Sequence, residues 1–235
     1  MEFFKDKIYS SSILSACYVT YLGPFIEEFR QKILEEWIKI ERKMFEGKNI
    51  IIDPEFNLRD YFGKETEIKN WLINGLPDNR LAIENALIIM NSDKIPLIYD
   101  PNEDAVKWIL EITNRRKLVR CEPGEMAILS KISNILIKGG LYLMENVEDK
   151  VDAVTQVLID NGNHDQDWKC TMSSVEYRIT KDFRTVMVLK DNFKFKNVPL
   201  FSKSLFIDFS ITKASFEANL TSILMKTNKP EITES

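Results

Sequence analysis

The sequence predicts an α/β domain: a mostly parallel sheet covered on both faces in three layers, with an inserted β-hairpin and a helical N-terminal extension. Three observations carry that expectation. Short β-like runs recur at 95–99, 117–120, 141–144, 185–189 and 205–211. Helical patterns fall between several of them, at 105–115 and 125–138, and strands alternating with such helices build parallel sheets. The stretch 168–180 breaks the rhythm. Its apolar positions Cys170, Met172, Val175, Tyr177 and Ile179 read as a hairpin.

Taken in chain order, the first 46 residues read as a helical extension and 47–235 as the α/β unit. Ser10, Ser11 and Ser12 offer N-caps for an apolar helix over 13–22, which Gly23-Pro24 ends. A second helix is expected over 25–45, with apolar Ile26, Phe29, Ile33, Trp37, Ile40 and Met44 spaced by 3, 4, 4, 3 and 4. Glu27, Glu28, Lys32, Glu35, Glu36 and Lys39 fill much of the opposite face. That stripe would suit a membrane or a partner, but the reading adopted is docking onto the protein's own core. Residues 47–56 form a linker with Asp53-Pro54 as a turn, and a last helix is expected over 213–226.

Composition narrows the function. The 235 residues are 44% hydrophobic and 29% charged, which excludes disordered and fibrous classes. Thirty-two basic residues against 36 acidic ones offer no broad cationic face, so nucleic acid is not an expected partner. The longest apolar stretches, such as 87–90 and 141–144, fall far short of the roughly 20 residues of a bilayer span, and the first residues do not resemble a secretory signal. The expectation is a soluble, intracellular chain. Cys17, Cys121 and Cys170 lie far apart with no CxxC pair, so neither a zinc ribbon nor a disulfide framework is indicated. The single histidine, His164, sits in the polar stretch Asn161-Gly-Asn-His-Asp-Gln-Asp167 and is expected at the surface. Residues 190–196 read as a solvated loop.

A sheet of this kind binds ligands at the carboxyl ends of its strands, so phosphate binding is the obvious test. Gly47-Lys48 and Gly63-Lys64 are the only Gly-Lys steps, and neither has the earlier glycine or following Ser/Thr of a phosphate loop. The expected place is Ile95-Pro-Leu-Ile-Tyr-Asp-Pro-Asn-Glu-Asp-Ala105, where a strand turns into a helix. Asp100, Glu103 and Asp104 put negative charge where phosphates would lie, and they are expected to cap the helix themselves. Leu141-Tyr-Leu-Met-Glu-Asn146 has the layout of a Walker B strand. Glu145 could touch a metal, but Asn146 has no basicity and cannot act as general base. No Cys–His or Ser–His–Asp set can be assembled around one histidine.

Several segments resemble the fifth AAA+ module of dynein heavy chains. Leu14-Ser-Ala-Cys-Tyr-Val-Thr-Tyr-Leu-Gly-Pro-Phe25 with Phe29-Arg30 is similar to the helix entering that module. Trp71-Leu-Ile-Asn-Gly-Leu-Pro-Asp78 with Ile83-Glu-Asn85, then Ile95-Pro-Leu-Ile-Tyr-Asp-Pro101 with Ala105 and Trp108-Ile109, follow in the family's order. Leu143-Met-Glu-Asn-Val-Glu148, Phe183-Arg184, Asn197-Val-Pro199, the segment 209–220 and Lys229-Pro-Glu231 continue it. There are departures. Ile95 stands for the family's Trp, Asn102 for its Gln, Glu148 follows Val147 without a Gly, and Val188-Leu-Lys-Asp-Asn192 replaces a polar sensor region.

The resemblance implies an AAA+ (P-loop NTPase-like) large subdomain without its small helical subdomain, in the ring of a microtubule motor. It implies no catalysis in this module and no cofactor here, ATP and Mg²⁺ belonging to other modules of the parent motor. Asp100, Pro101, Asn102, Glu103, Asp104, Ala105, Glu145 and Asn146 would be the remnant of a nucleotide pocket. Implied partners are neighbouring AAA+ modules, with the microtubule reached only through parts that 235 residues do not include. No membrane partner is implied. The implied location is the cytoplasmic cytoskeleton, in the cilium or axoneme, and the chain is expected to be an excised piece or a short product of a dynein-type gene. The alternatives are a nucleotide-binding or weak ATPase domain with a relaxed phosphate loop, and a free-standing interaction protein derived from such a gene.

Overall fold

In the computed structural model, residues 2–48, 50–113, 117–147, 151–190 and 198–210 are described. The expected helix over 213–226, most of the 190–196 loop and the resemblance segments beyond 210 lie outside them.

The N-terminal half is helical: α1 (Glu2–Tyr21), α2 (Glu27–Met44), α3 (Leu58–Phe62), α4 (Glu65–Ile73) and α5 (Arg80–Asn91). The sheet follows, as β1 (Pro96–Tyr99), α6 (Asp104–Ile112), β2 (Leu118–Cys121), α7 (Ile128–Lys138), β3 (Gly140–Met144) and α8 (Ala153–Asn161). The hairpin β4 (Trp168–Met172) and β5 (Val175–Ile179) precedes β6 (Phe183–Leu189), α9 (Val198–Lys203) and β7 (Leu205–Asp208). The five sheet strands run in the order β2-β3-β6-β1-β7 and every pairing among them is parallel, so β6 separates β1 from β3. The hairpin is antiparallel and forms its own two-stranded sheet.

Alternation along the strands makes the layers. Ile98, Leu141, Leu143, Val186, Val188, Leu205 and Ile207 face one side and pack with α1 through α6. Leu97, Tyr142, Met144, Met187, Leu189 and Phe206 face the other and pack with α7, α8, α9 and the hairpin. The N-terminal helices therefore share one core with the sheet. Leu14, Tyr18 and Leu22 of that segment are buried beside Leu87 and Ile207.

Two expectations for the N-terminal helices are corrected. Helix α1 does not begin after the serines but runs through them. Ser12 and Ser15 Oγ donate back to the carbonyls of Ile8 and Ser11 (both 2.6 Å), which satisfies the hydroxyls inside a helix. Ser10 Oγ instead donates to the buried carboxylate of Glu41 (2.7 Å). In α2 the helical period holds but the buried face is another one: Arg30, Leu34, Ile38 and Glu41. Phe29, Ile40 and Met44 are 54%, 52% and 63% exposed, with Ile33 and Trp37 at the margin of the core. The reason is a buried polar network that draws Arg30 inward. Arg30 Nη1 reaches Glu84 Oε2 (3.3 Å), Nη2 donates to Asn85 Oδ1 (2.5 Å) and to the Gly23 carbonyl (3.2 Å), and Nε donates to the Phe25 carbonyl (2.8 Å). Tyr18 Oη donates to Glu84 Oε2 (2.5 Å), Arg80 Nε to Glu84 Oε1 (2.8 Å), and Asn85 Nδ2 to the Asp208 carbonyl (2.7 Å). The network pins α1, α2 and α5 to the end of β7. Gly23 fits there because a Cβ would stand 2.4 Å from the Phe206 carbonyl oxygen.

His164 is half-buried rather than at the surface. Its ring lies 4.7 Å from that of Trp168, and its Nε2 is buried without a hydrogen-bond partner.

Candidate functional site

The carboxyl ends of β1, β3 and β6 converge, and the chain leaves β1 through a turn into α6. Asp100 continues the ladder, its N–H donating to the Leu189 carbonyl (2.9 Å). Its buried carboxylate then turns onto the start of α6. Oδ1 accepts from Asp104 N (3.0 Å) and Oδ2 from Val106 N (2.9 Å). Those N–H groups are the donors that a phosphate at a helix N-terminus would need. Burial raises the Asp100 pKa above its ordinary value, while the N–H bonds from Val106 and Asp104 pull it down. Pro101 and Asn102 are exposed at the apex of the turn, and Ala105 is buried behind it.

Glu103 does not cap the helix, contrary to expectation. It occupies the N-cap position in a left-handed conformation (φ 61°) with no capping bond from its side chain. That conformation turns the carboxylate outward to Lys190 Nζ (2.7 Å), which lowers the Glu103 pKa and raises that of Lys190. Asp104 is half-buried, and desolvation raises its pKa. The hollow beside it, walled by Pro77, Asn79, Ala82, Asn85 and Phe209, holds about 20 Å³. That is room for one water molecule and not for a nucleoside.

At the end of β3, Glu145 is clamped from the neighbouring strand. Arg120 Nε and Nη2 donate to its two carboxylate oxygens at 2.5 and 2.9 Å. A metal would have to compete with this bidentate pair. Asn146 adopts a left-handed conformation (φ 53°), and its Nδ2 donates to Glu122 Oε1 (2.8 Å). Among the described residues, no three His, Cys, Asp or Glu side chains converge as a metal site.

The sequence brought Asp100, Glu103, Asp104, Glu145 and Asn146 to one end of the sheet, and the fold keeps them there. It did not disclose Arg120, Glu122 and Lys190, their partners. That pairing depends on β2 lying beside β3, and β6 beside β1, which local patterns do not contain. The Arg30–Glu84–Asn85 network was likewise missed as a structural unit. Its signal was two consecutive polar residues inside the apolar run of α5.

A parallel sheet with a strand inserted between the first and third, and a helix starting from the turn after β1, defines an AAA+ domain of the P-loop class. Comparison with known families agrees: residues 69–235 match the ATP-binding dynein motor region, and the chain belongs to that family. It is 26% identical over 233 residues to dynein axonemal heavy chain 11 of Sus scrofa, covering 94% of this chain and 5% of that one. Identity is 25% to the dynein alpha chain of the flagellar outer arm of Chlamydomonas reinhardtii, with coverage of 94% and 5%. Dynein axonemal heavy chain 3 of Mus musculus is 25% identical over 97% of this chain and 6% of its own length. The chain thus spans about a twentieth of the heavy chains it matches. Among the described residues, no helix is long and apolar enough to cross a membrane.

Proposed function

We propose that the chain is a non-catalytic, structural AAA+ module of a dynein heavy chain, equivalent to the fifth in the motor ring. Its work is to pack against neighbouring modules and pass conformational change between them. The observation that carries this reading is the Asp100 carboxylate seated on the N–H groups of Asp104 and Val106, where a working module would hold phosphate. The Arg120 clamp on Glu145 and the amide at Asn146 support it, since neither leaves a free carboxylate for Mg²⁺ or for activating water. The apolar residues that α2 leaves exposed supply a surface for a neighbouring module. The axonemal relatives favour a place in the axoneme, with the microtubule contacted by other parts of the heavy chain.

The test is calorimetric titration of ATP and ADP, each with Mg²⁺, into the folded chain. The expected result is no saturable heat up to millimolar nucleotide. Micromolar binding would overturn the proposal.

A further inference from the structure

The opposite, amino-terminal end of the strands holds a cavity apart from the phosphate turn. It measures about 360 Å³ and lies beneath the start of β1, between the last turns of α5 and α6. Its origin is a mismatch in strand length. β1 begins at Pro96, while β6 begins three residues before Val186 and overhangs it. Asn163 replaces the missing strand there, its Oδ1 accepting from Thr185 N (3.0 Å) and its Nδ2 donating to the Thr185 carbonyl (3.5 Å). The backbone of the overhang is thereby satisfied, and the space below it stays open.

The walls are chiefly apolar, with Ile109, Ile112, Leu141 and Val186 among them. The wall residue Trp108 carries a buried polar atom without a hydrogen-bond partner, its Nε1; Thr185 Oγ1 also lacks one, but it stands on the Met187 face of β6, away from the chamber. Both residues are almost wholly buried. An orphaned indole N–H is a donor with nothing to receive it, and such groups are rare in folded proteins because each costs free energy. Of the other polar wall residues, Asn163 is engaged as above, Thr113 Oγ1 with the Ile109 carbonyl (2.6 Å), Ser92 Oγ with Lys94 N (3.1 Å) and Arg184 with Asp165 (3.3 Å), and the charged side chains of Lys117 and Asp182 belong to the lining as well. An apolar chamber of this size with a small number of placed polar groups has the make-up of a small-molecule site.

We propose that this cavity binds a small, largely apolar molecule bearing one carbonyl-type acceptor. The acceptor takes the hydrogen bond of Trp108 Nε1, and the apolar body rests on Ile109, Ile112 and Val186. The site is independent of the phosphate turn, which lies at the other end of the strands.

The experiment follows the four tryptophan indole N–H signals of the folded, ¹⁵N-labelled chain by NMR, with the Trp108 signal assigned, while acetophenone or toluene is titrated. Acetophenone is expected to move the Trp108 signal saturably in the millimolar range, as suits so small a ligand. Toluene, which lacks the acceptor, should bind at least fivefold more weakly. Ile112→Trp, which fills the chamber, should abolish the response. A Trp108 signal unmoved at 10 mM acetophenone would overturn the proposal. So would equal saturation by toluene, or an unchanged titration in the Ile112→Trp chain.

Discussion

Arg30 carries a charge into the interior and finds Glu84 there, with side-chain exposures of 0% and 2%. Every polar atom around the pair is engaged by Tyr18, Asn85, Arg80 or a carbonyl, which is the condition for a buried ion pair to be tolerated. Arg30→Met should therefore cost about 3–5 kcal/mol in urea denaturation, because it leaves Glu84 and three acceptors uncompensated. A loss below about 1 kcal/mol would mean that Arg80 and Tyr18 suffice for Glu84. Glu41 is the opposite case. One carboxylate oxygen receives Ser10, the other is buried without a partner, and burial raises its pKa above the ordinary 4.5. A raised carboxylate pKa means the folded state holds the proton more tightly than the unfolded chain. Glu41 thus costs stability at pH 7, and that cost is relieved as pH falls through the folded value. Glu41→Gln should stabilise the chain by about 1 kcal/mol at pH 7, with the difference shrinking as pH falls toward 4 in paired thermal melts. Asp100 was legible as a cap from its place before a helix. Arg30 and Glu41 were not, because a charged residue announces its burial only through neighbours distant in sequence.

Strands and hairpin were the legible elements. Short apolar runs placed all five sheet strands within a few residues, the last ending at Asp208, and alternation placed the hairpin. Helix α2 shows the limit of the same reasoning. Counting apolar residues selects Phe29, Ile40 and Met44, whereas the core takes the stripe containing Arg30 and Glu41. The apolar stripe is real; it faces outward. Phe25 and Phe29 stack there at 6.4 Å, beside further exposed apolar side chains. The chain alone should therefore self-associate at tens of micromolar in sedimentation velocity, and Phe29→Lys with Ile40→Glu should return it to monomer. The double variant should melt within a few degrees of the parent, since neither residue belongs to the buried stripe. A parent chain that is strictly monomeric would remove the argument for a covered face on α2.

At the scale of the whole molecule, alternation of strands and helices foretold a covered parallel sheet, and the structure has one. What local pattern could not supply was strand order, and with it the sharing of one core by α1, α2 and the sheet. The position of β6 has a consequence for biosynthesis. Leu97 at the centre of β1 pairs with Met187, and its other neighbour, Phe206, comes later still. The ribosome needs on the order of ten seconds to make the chain between the first of these partners. During that interval β1 has left the exit tunnel with both backbone edges unpaired; α1 through α5, which cover the Ile98 face, are already made, but the α7, α8, α9 and hairpin layer that covers Leu97 comes later in the chain. A nascent chain in that condition is a substrate for holding chaperones, and vectorial synthesis alone cannot close its sheet until the second central strand emerges.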